Sequence, residues 1–207
     1  MVVIPDIRGL HPFYEDLANR LAEAGVHAIA IDQYARTAGS GRRDADFDPS
    51  PHVMALQVEQ IAADVAAAID VLQSSEGGSA ARVYAMGFCI GGRIAFLQAA
   101  AGHGLAGVVG FYGPPVGAHR SGLPAPIDQV GSFSASVLGL FGGADPGIPP
   151  ESVDAFDQAL ADAGIGHRLV TYPGAPHSFF DRSAAEHADA ANGAWRELLD
   201  FVGVSAQ

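Results

Sequence analysis

An α/β fold, with one mostly parallel sheet covered by helices on both faces, is the architecture this sequence predicts. Three observations predict it. Short apolar runs rich in Val, Ile and aromatic residues recur along the 207 residues. Segments with a helical spacing of apolar residues separate those runs. One run passes directly into a helical segment through Gly87-Phe88-Cys89-Ile90-Gly91, with a glycine two residues to each side of a cysteine. Strands that alternate with helices are joined by crossovers, which makes them parallel and covers both sheet faces. Ligands of such sheets lie beyond the carboxyl ends of the strands.

The apolar runs at residues 1–5, 26–32, 82–87, 106–112, 136–142 and 167–172 read as six buried strands. Helical spacing covers residues 12–24, 53–73, 89–101, 150–163 and 184–202. Leu17, Leu21 and Ala24 form one apolar stripe, and Ile61, Val65, Ile69 and Leu72 another. Residues 35–52, rich in Gly, Arg, Asp and Pro, and residues 113–135, rich in Pro and Gly, read as loops that form a small lid. There is no internal repeat and no shift of composition, so residues 1–207 are expected to form a single domain without a large cap. A strand at the very first residues is unusual for such a sheet. The chain is therefore expected to lack one or two N-terminal edge strands.

Hydrophobic residues make up 49% of the chain and charged residues 16%, a globular balance, and no apolar run approaches the ~18 residues of a membrane span. The formal charge of −12, from 11 basic and 23 acidic residues, would repel nucleic acid and anionic membranes alike. Every basic residue is arginine, so Schiff-base, P-loop and catalytic-amine lysine chemistries are excluded. The single cysteine forms no internal disulfide, and the opening Met-Val-Val-Ile-Pro has no signal-like character. A cytoplasmic location is the expectation.

Gly-x-Cys-x-Gly at a strand-to-helix junction carries the chemistry. A sharp turn there strains the nucleophile, and flanking side chains would collide with neighbouring backbone. The helix start beside sulfur favours thiolate and offers the Ile90 N–H to an oxyanion. Taken alone, Cys89 reads as a buried small hydrophobe; the strand, glycines and helix around it turn the reading to the nucleophile. Such a thiol needs a base and a carboxylate, which in α/β-hydrolase topology follow on later strand ends, acid before histidine. Asp145 lies on the tight loop after the run at 136–142, and His177 on the loop after 167–172. Cys89, Asp145 and His177 therefore form the expected triad. Pro5-Asp6-Ile7-Arg8-Gly9 occupies the place of the second oxyanion donor, expected from Ile7. Asp6, close to the nucleophile, would compete with His177 for the thiol proton, or is simply a loop aspartate.

These residues resemble the dienelactone hydrolase family, the carboxymethylenebutenolidase-like branch of the α/β-hydrolases, over nearly the whole chain. The likeness rests on Asp6-Ile7-Arg8-Gly9, on Asp32-Gln33-Tyr34-Ala35-Arg36 and on the runs GFCIGG, GGAD and GAPHSFF. It implies an α/β-hydrolase fold, hydrolysis of an ester or lactone through an acyl-cysteine, and no metal or cofactor. It also implies that the acid at Asp6 holds the resting thiol until substrate arrives. Members acting on dienelactone grip a substrate carboxylate with two arginines, one placed where this chain has Asp181, with Arg182 next, the other where residues 44–58 have none. Arg8, Arg36 or Arg182 is the expected substitute if a carboxylate is bound at all. Phe88, Tyr34, Tyr112, Phe179 and Phe180 fall on strand ends and are expected to wall the pocket. The expected partner is a small-molecule ester or lactone, and the expected assembly a monomer or homodimer. Two rivals remain at this level: a hydrolase homologue that binds ligand or senses oxidants through Cys89 without turnover, and a purely structural domain.

Overall fold

The computed structural model describes residues 1–204. Six parallel strands form one sheet: β1 (Val2–Ile4), β2 (Ile29–Ala30), β3 (Tyr84–Phe88), β4 (Gly107–Phe111), β5 (Ser136–Gly142) and β6 (His167–Tyr172), in the order β2-β1-β3-β4-β5-β6. The helices are α1 (Pro12–Glu23), α2 (Ala35–Ala38), α3 (Ser50–Met54), α4 (Val58–Gln73), α5 (Ile90–Gln98), α6 (Pro150–Asp162) and α7 (Ala188–Val202). All six expected strands are present, and β5 and β6 have the expected bounds. The central strands β3 and β4 are buried at every residue, as a parallel sheet covered on both faces requires. No helix among the described residues is long and apolar enough to cross a membrane.

Differences from the sequence reading are local. The run at 26–32 contributes only two strand residues, because β2 is an edge with β1 as its sole neighbour. The segment at 53–73 is two helices, broken where Gln57 is extended (φ −126°, ψ 131°) ahead of α4. The final helix starts at Ala188 rather than 184, after a series of turns.

Neither of the two loop segments is a loose lid. Residues 35–52 hold α2 and the start of α3, and Arg43 ties them down through Asp32 Oδ2 at 2.6 Å and the Gly39 carbonyl at 2.5 Å. Residues 113–135 end in a 3-10 helix, Pro126–Ser132, and are pinned by Arg93 of α5. Arg93 is 1% exposed. Its guanidinium has five N–H donors. Nε donates to Pro124 O, Nη1 to Pro114 O and Val116 O, and Nη2 to Gly117 O and Leu123 O, at 2.6–3.3 Å. A segment with so few partners of its own for its carbonyls is thereby fastened to the central helix.

The sheet order places the site. β1 pairs with β2 on one side and β3 on the other, so the chain reverses its direction of travel across the sheet between β1 and β3. A crevice opens at such a switch point, beyond the strand ends. The loop after β1 carries Asp6, Ile7 and Arg8, and β3 ends at Cys89. Replacing Arg93 with methionine would leave its five carbonyls without their donor, a loss of about 3 kcal/mol or more. Urea unfolding of Arg93→Met beside the wild type measures it, and an unchanged midpoint would contradict the anchoring role.

Candidate active site

Cys89 stands between β3 and α5 with φ 55° and ψ −120°, a conformation that non-glycine residues seldom adopt. The two flanking glycines explain how the turn closes. A Cβ on Gly87 would lie 2.0 Å from the Gly91 carbonyl oxygen, and one on Gly91 would lie 2.3 Å from that of Pro5. The chain thus pulls the helix start against the ends of β1 and β3, and Cys89 is left half-buried, facing the crevice. The backbone N–H groups of Ile90 and Ile7 donate to no protein group among the described residues. They come from the starts of the two loops that meet at the switch point.

Asp145 and His177 are brought together across 32 residues of sequence. His177 Nδ1 donates to Asp145 Oδ2 at 2.5 Å, and the Gly147 N–H donates to Asp145 Oδ1 at 2.8 Å. The carboxylate is buried and the imidazole is partly open. Burial pulls the pKa of His177 down, but the hydrogen bond to Asp145, the hydrogen bond to Cys89 and the charges of both outweigh it and raise it to about 10. His177 and Asp145 are joined as imidazole and carboxylate, and Cys89 acts on the same imidazole. Ser178, next to the histidine, is itself at φ 61°. Among the described residues no group of three or more His, Cys, Asp or Glu side chains converges as a metal site would.

Asp6 is held by Arg8. Its Oδ1 accepts from the Arg8 N–H at 2.8 Å and from Arg8 Nε at 3.1 Å, and its Oδ2 accepts from Nε at 2.9 Å. Arg8 Nη2 also pairs with Asp6 Oδ2 at 2.8 Å and, closely, with Asp181. The guanidinium two residues further along the chain holds the carboxylate through charge-assisted bonds. The sequence reading missed the Arg8–Asp181 pair because 173 residues separate the partners and neither has a local pattern.

Of the other expected pocket residues, Tyr112 packs on the His177 ring at 4.9 Å between centroids. Arg36 is turned away, paired with Asp64 at 2.5 and 2.6 Å on the exposed face of α4. Tyr34 is fully buried behind the loop after β1, its hydroxyl donating to the Ile7 carbonyl at 3.0 Å. Phe88 and Phe179 have no exposed surface and belong to the core, Phe88 stacking on Phe111 at 4.6 Å and Phe179 packing on Tyr172 at 5.1 Å. Phe180 joins the same aromatic cluster. Aromatic residues at strand ends are drawn under the sheet's rim by one another, and the wall is left to fewer side chains than expected. Arg182 is exposed without an ion pair among the described residues. A cleft of about 510 Å³ lies at the far end of α5, between residues 56–59 and 121–124, and holds none of this chemistry.

Comparison with known proteins follows the same direction. The family model described as "Dienelactone hydrolase family" matches residues 1–205. A protein of Yersinia pestis named "Putative carboxymethylenebutenolidase" is 34% identical over 213 residues, covering 100% of this chain and 79% of that protein. A "Probable 2-oxo-3-(5-oxofuran-2-ylidene)propanoate lactonase" of Bradyrhizobium sp is 29% identical over 209 residues, covering 98% of this chain and 82% of that one. The crystal structure of a "Putative Dienelactone Hydrolase" from Klebsiella pneumoniae superposes with a TM-score of 0.81 at 33% identity, over 98% of this chain and 85% of its own.

The His177 shift makes two measurable statements. NMR titration of the imidazole should give a midpoint near 10 in the wild type, and Asp145→Asn should move it well down toward the ordinary value of ~6.5. A pKa raised on folding means that protonated His177 stabilises the fold fully below its unfolded value of about 6.5. That contribution drains away as the pH climbs through about 10. The difference in Tm between wild type and His177→Gln should therefore narrow from pH 7 to pH 10, and a constant difference would count against the ion-paired imidazolium.

Proposed function

We propose, because the chain belongs to the dienelactone hydrolase family and is a hydrolase, that it cleaves a lactone, enol ester or other activated ester through an acyl-cysteine at Cys89. The observation that carries this reading is the 2.5 Å bond between His177 and Asp145, with Cys89 acting on the same imidazole, together with the unengaged N–H groups of Ile7 and Ile90. His177 holds the thiol proton, and the Cys89 thiolate adds to the acyl carbon. Negative charge moves to the carbonyl oxygen, where the N–H groups of Ile7 and Ile90 receive it. As the tetrahedral species collapses, imidazolium gives its proton to the departing oxygen, and the acyl group stays on sulfur. In a lactone that oxygen remains tethered to the acyl chain. Water then loses a proton to His177 and attacks the thioester, sulfur leaves, and the acid is released. Asp145 keeps the imidazole in one tautomer and steadies its charge throughout.

Substrate class follows from two considerations. Thiolate leaves a tetrahedral intermediate more readily than alkoxide, so esters with a good or strained leaving oxygen are turned over and simple alkyl esters poorly. Arg8, on the loop after β1, is occupied by the carboxylates of Asp6 and Asp181. A second anion there would face two carboxylates for one guanidinium, which favours an uncharged substrate. The lactonase named among the relatives supports the choice of ring esters.

Rapid mixing with p-nitrophenyl acetate at enzyme-level concentration tests the mechanism. The wild type should give a burst of one nitrophenolate per chain followed by steady turnover, and Cys89→Ala should lose both, by about three orders of magnitude or more. A burst without turnover would identify a stalled acyl acceptor, and equal slow release from both proteins would remove Cys89 from the mechanism. Between two lactones of equal size, the neutral one should have at least about tenfold higher kcat/KM than the one bearing a carboxylate, a difference of roughly 1.4 kcal/mol. Preference for the carboxylate would overturn the assignment of Arg8 to its two aspartates during turnover.

A further inference from the structure

The turn that carries Ile7 is closed on itself. Asp6 Oδ1 accepts the Arg8 N–H at 2.8 Å and the Asp6 carbonyl accepts the Gly9 N–H at 3.0 Å, which encloses Ile7 and leaves Gly9 at φ 71°. Most of its outer partners come from early in the chain. Tyr14 of α1 accepts the Asp6 N–H at 2.8 Å, Gln33 Nε2 donates to the Pro5 and Asp6 carbonyls at 3.1 and 3.0 Å, and the Tyr34 hydroxyl donates to the Ile7 carbonyl at 3.0 Å. The Ile7 N–H itself has no acceptor among the described residues.

The turn that carries His177 is closed in the same manner. The Ser178 carbonyl accepts the N–H groups of Asp181 at 3.1 Å and Ser183 at 3.3 Å, and Phe179 and Phe180 between them are buried, so His177 and Asp181 are held as one unit. The two turns follow β1 and β6, which β3, β4 and β5 separate in the sheet. Ladder pairing fixes strand against strand, but it does not fix the spacing of two loops that rise from strands so far apart. One contact joins them. Arg8 Nη2 binds Asp181 Oδ2, and among the described residues Asp181 is the single hydrogen-bond partner of residues 6–9 that comes from beyond β3.

The bridge is stiff and close to the chemistry. Nε and Nη2 of Arg8 are already seated on Asp6 at 2.8–3.1 Å, so the guanidinium reaches Asp181 without freedom to swing away from its own turn. The side chains of Asp6 and Asp181 are 4% and 10% exposed, which limits competition from water. The Tyr112 ring packs on His177 at 4.9 Å, and burial, then the charges of Asp181, Asp6 and Cys89, hold its phenol well above the ordinary tyrosine range while Arg8 lowers it. One buried side chain thus has both the bridge and the sulfur within Coulombic reach. We propose that Arg8 and Asp181 are positioning residues, their ion pair setting the turn that bears the Ile7 N–H against the turn that bears His177, so that oxyanion donor and base stay in register about Cys89. This rests on the acyl-cysteine reading above. Neither side chain meets the substrate, and no bond is made or broken at them. Both tetrahedral species of that route place charge on the Ile7 N–H while His177 moves a proton, so acylation and deacylation depend alike on the spacing. Alkylation of the thiol by iodoacetamide develops no oxyanion and does not.

Asp181→Ala cuts the bridge and leaves Arg8 on Asp6, whereas Arg8→Met removes both pairs. With p-nitrophenyl acetate and a neutral lactone as substrates, each variant should lose about 10- to 100-fold in kcat with little change in KM. The double variant should be no slower than Arg8→Met alone, because the two side chains act as one element. Cys89 should be alkylated by iodoacetamide at the wild-type rate throughout. Losses that multiply in the double variant, a loss confined to KM, no loss, or slowed alkylation would each overturn the proposal. A faster Asp181→Ala beside a slower Arg8→Met would overturn it as well, and would make the guanidinium charge itself the stabiliser of the oxyanion. Arg8→Met leaves two carboxylates without their cation; if it does not fold, Asp181→Ala decides alone, by kcat against alkylation. Failure of the underlying reading looks different, because Cys89→Ala would then turn over the same esters at the wild-type rate.

Discussion

Everything at this site depends on a single unfavourable backbone conformation, the positive φ of Cys89. At φ 55° and ψ −120° the chain turns from β3 into α5 without an intervening loop, which is the shortest way to hold a side chain above the end of a sheet. The cost is met by close packing on either side. Gly87 lies against the Gly91 carbonyl, Gly91 against the ends of Ile4 and Pro5, and Gly92 against Phe111 and Gly113. No Cβ fits at these approaches, so the elbow also sets the spacing of β1, β3 and β4. The Asp6–Arg8 loop, Cys89 and Tyr112 share one rigid frame for that reason. All nine residues of α5 are buried, and the helix cannot tilt to relieve the turn without displacing the core.

Arginine does three distinct jobs in this lysine-free chain. Arg93, without a carboxylate among its hydrogen-bond partners, uses its planar fork to gather the carbonyls of one loop, a task that the three donors of an ammonium could not complete. Arg8 does the opposite and serves as the shared counter-ion of two carboxylates that would otherwise repel each other beside the nucleophile. Burial and the neighbouring Asp6 push the Asp181 carboxyl upward, while Arg8 draws it back. Arg20 lies 3.9 Å above the Trp195 ring and couples α1 to α7 by a cation–π contact. With a net charge of −12, the molecule places much of its positive charge in structural roles.

The order of elements was legible because each signal is local. Continuous apolar runs identify covered parallel strands, and a glycine–cysteine–glycine spacing at a strand end has few other physical uses. Asp145 and His177 could be read from position alone, since each lies on a short loop after its strand. The failures concern interactions between distant segments. Nothing in the sequence near Asp6 says that Asp181 will reach back to share Arg8. Phe88 and Phe179 were expected on the wall for a related reason. Position at a strand end fixes depth in the crevice, but the direction of an aromatic side chain is decided by its neighbours, here Phe111, Phe180 and Tyr172. Proline and glycine in residues 113–135 did indicate irregular backbone, yet the anchor that immobilises it sits on α5, outside the segment.

On the proposed acyl-cysteine route, the choice of sulfur connects these features to specificity. A thiolate forms the tetrahedral adduct easily but is also the better leaving group when that adduct breaks, so the forward reaction depends on how well the other oxygen is helped to depart. Strengthening the oxyanion contacts alone lowers the barrier to forming the adduct without directing its collapse, because those N–H groups serve return to substrate equally. Discrimination must come from the imidazolium proton. An imidazole held near pKa 10 by Asp145 and Cys89 is a weak acid and gives up its proton reluctantly. On that route, such a site selects substrates whose leaving oxygen carries charge well or is strained out of its bond. Enol esters and lactones meet that requirement, and the rigid elbow, by fixing which strand ends face which oxygen, turns it into a property of the fold.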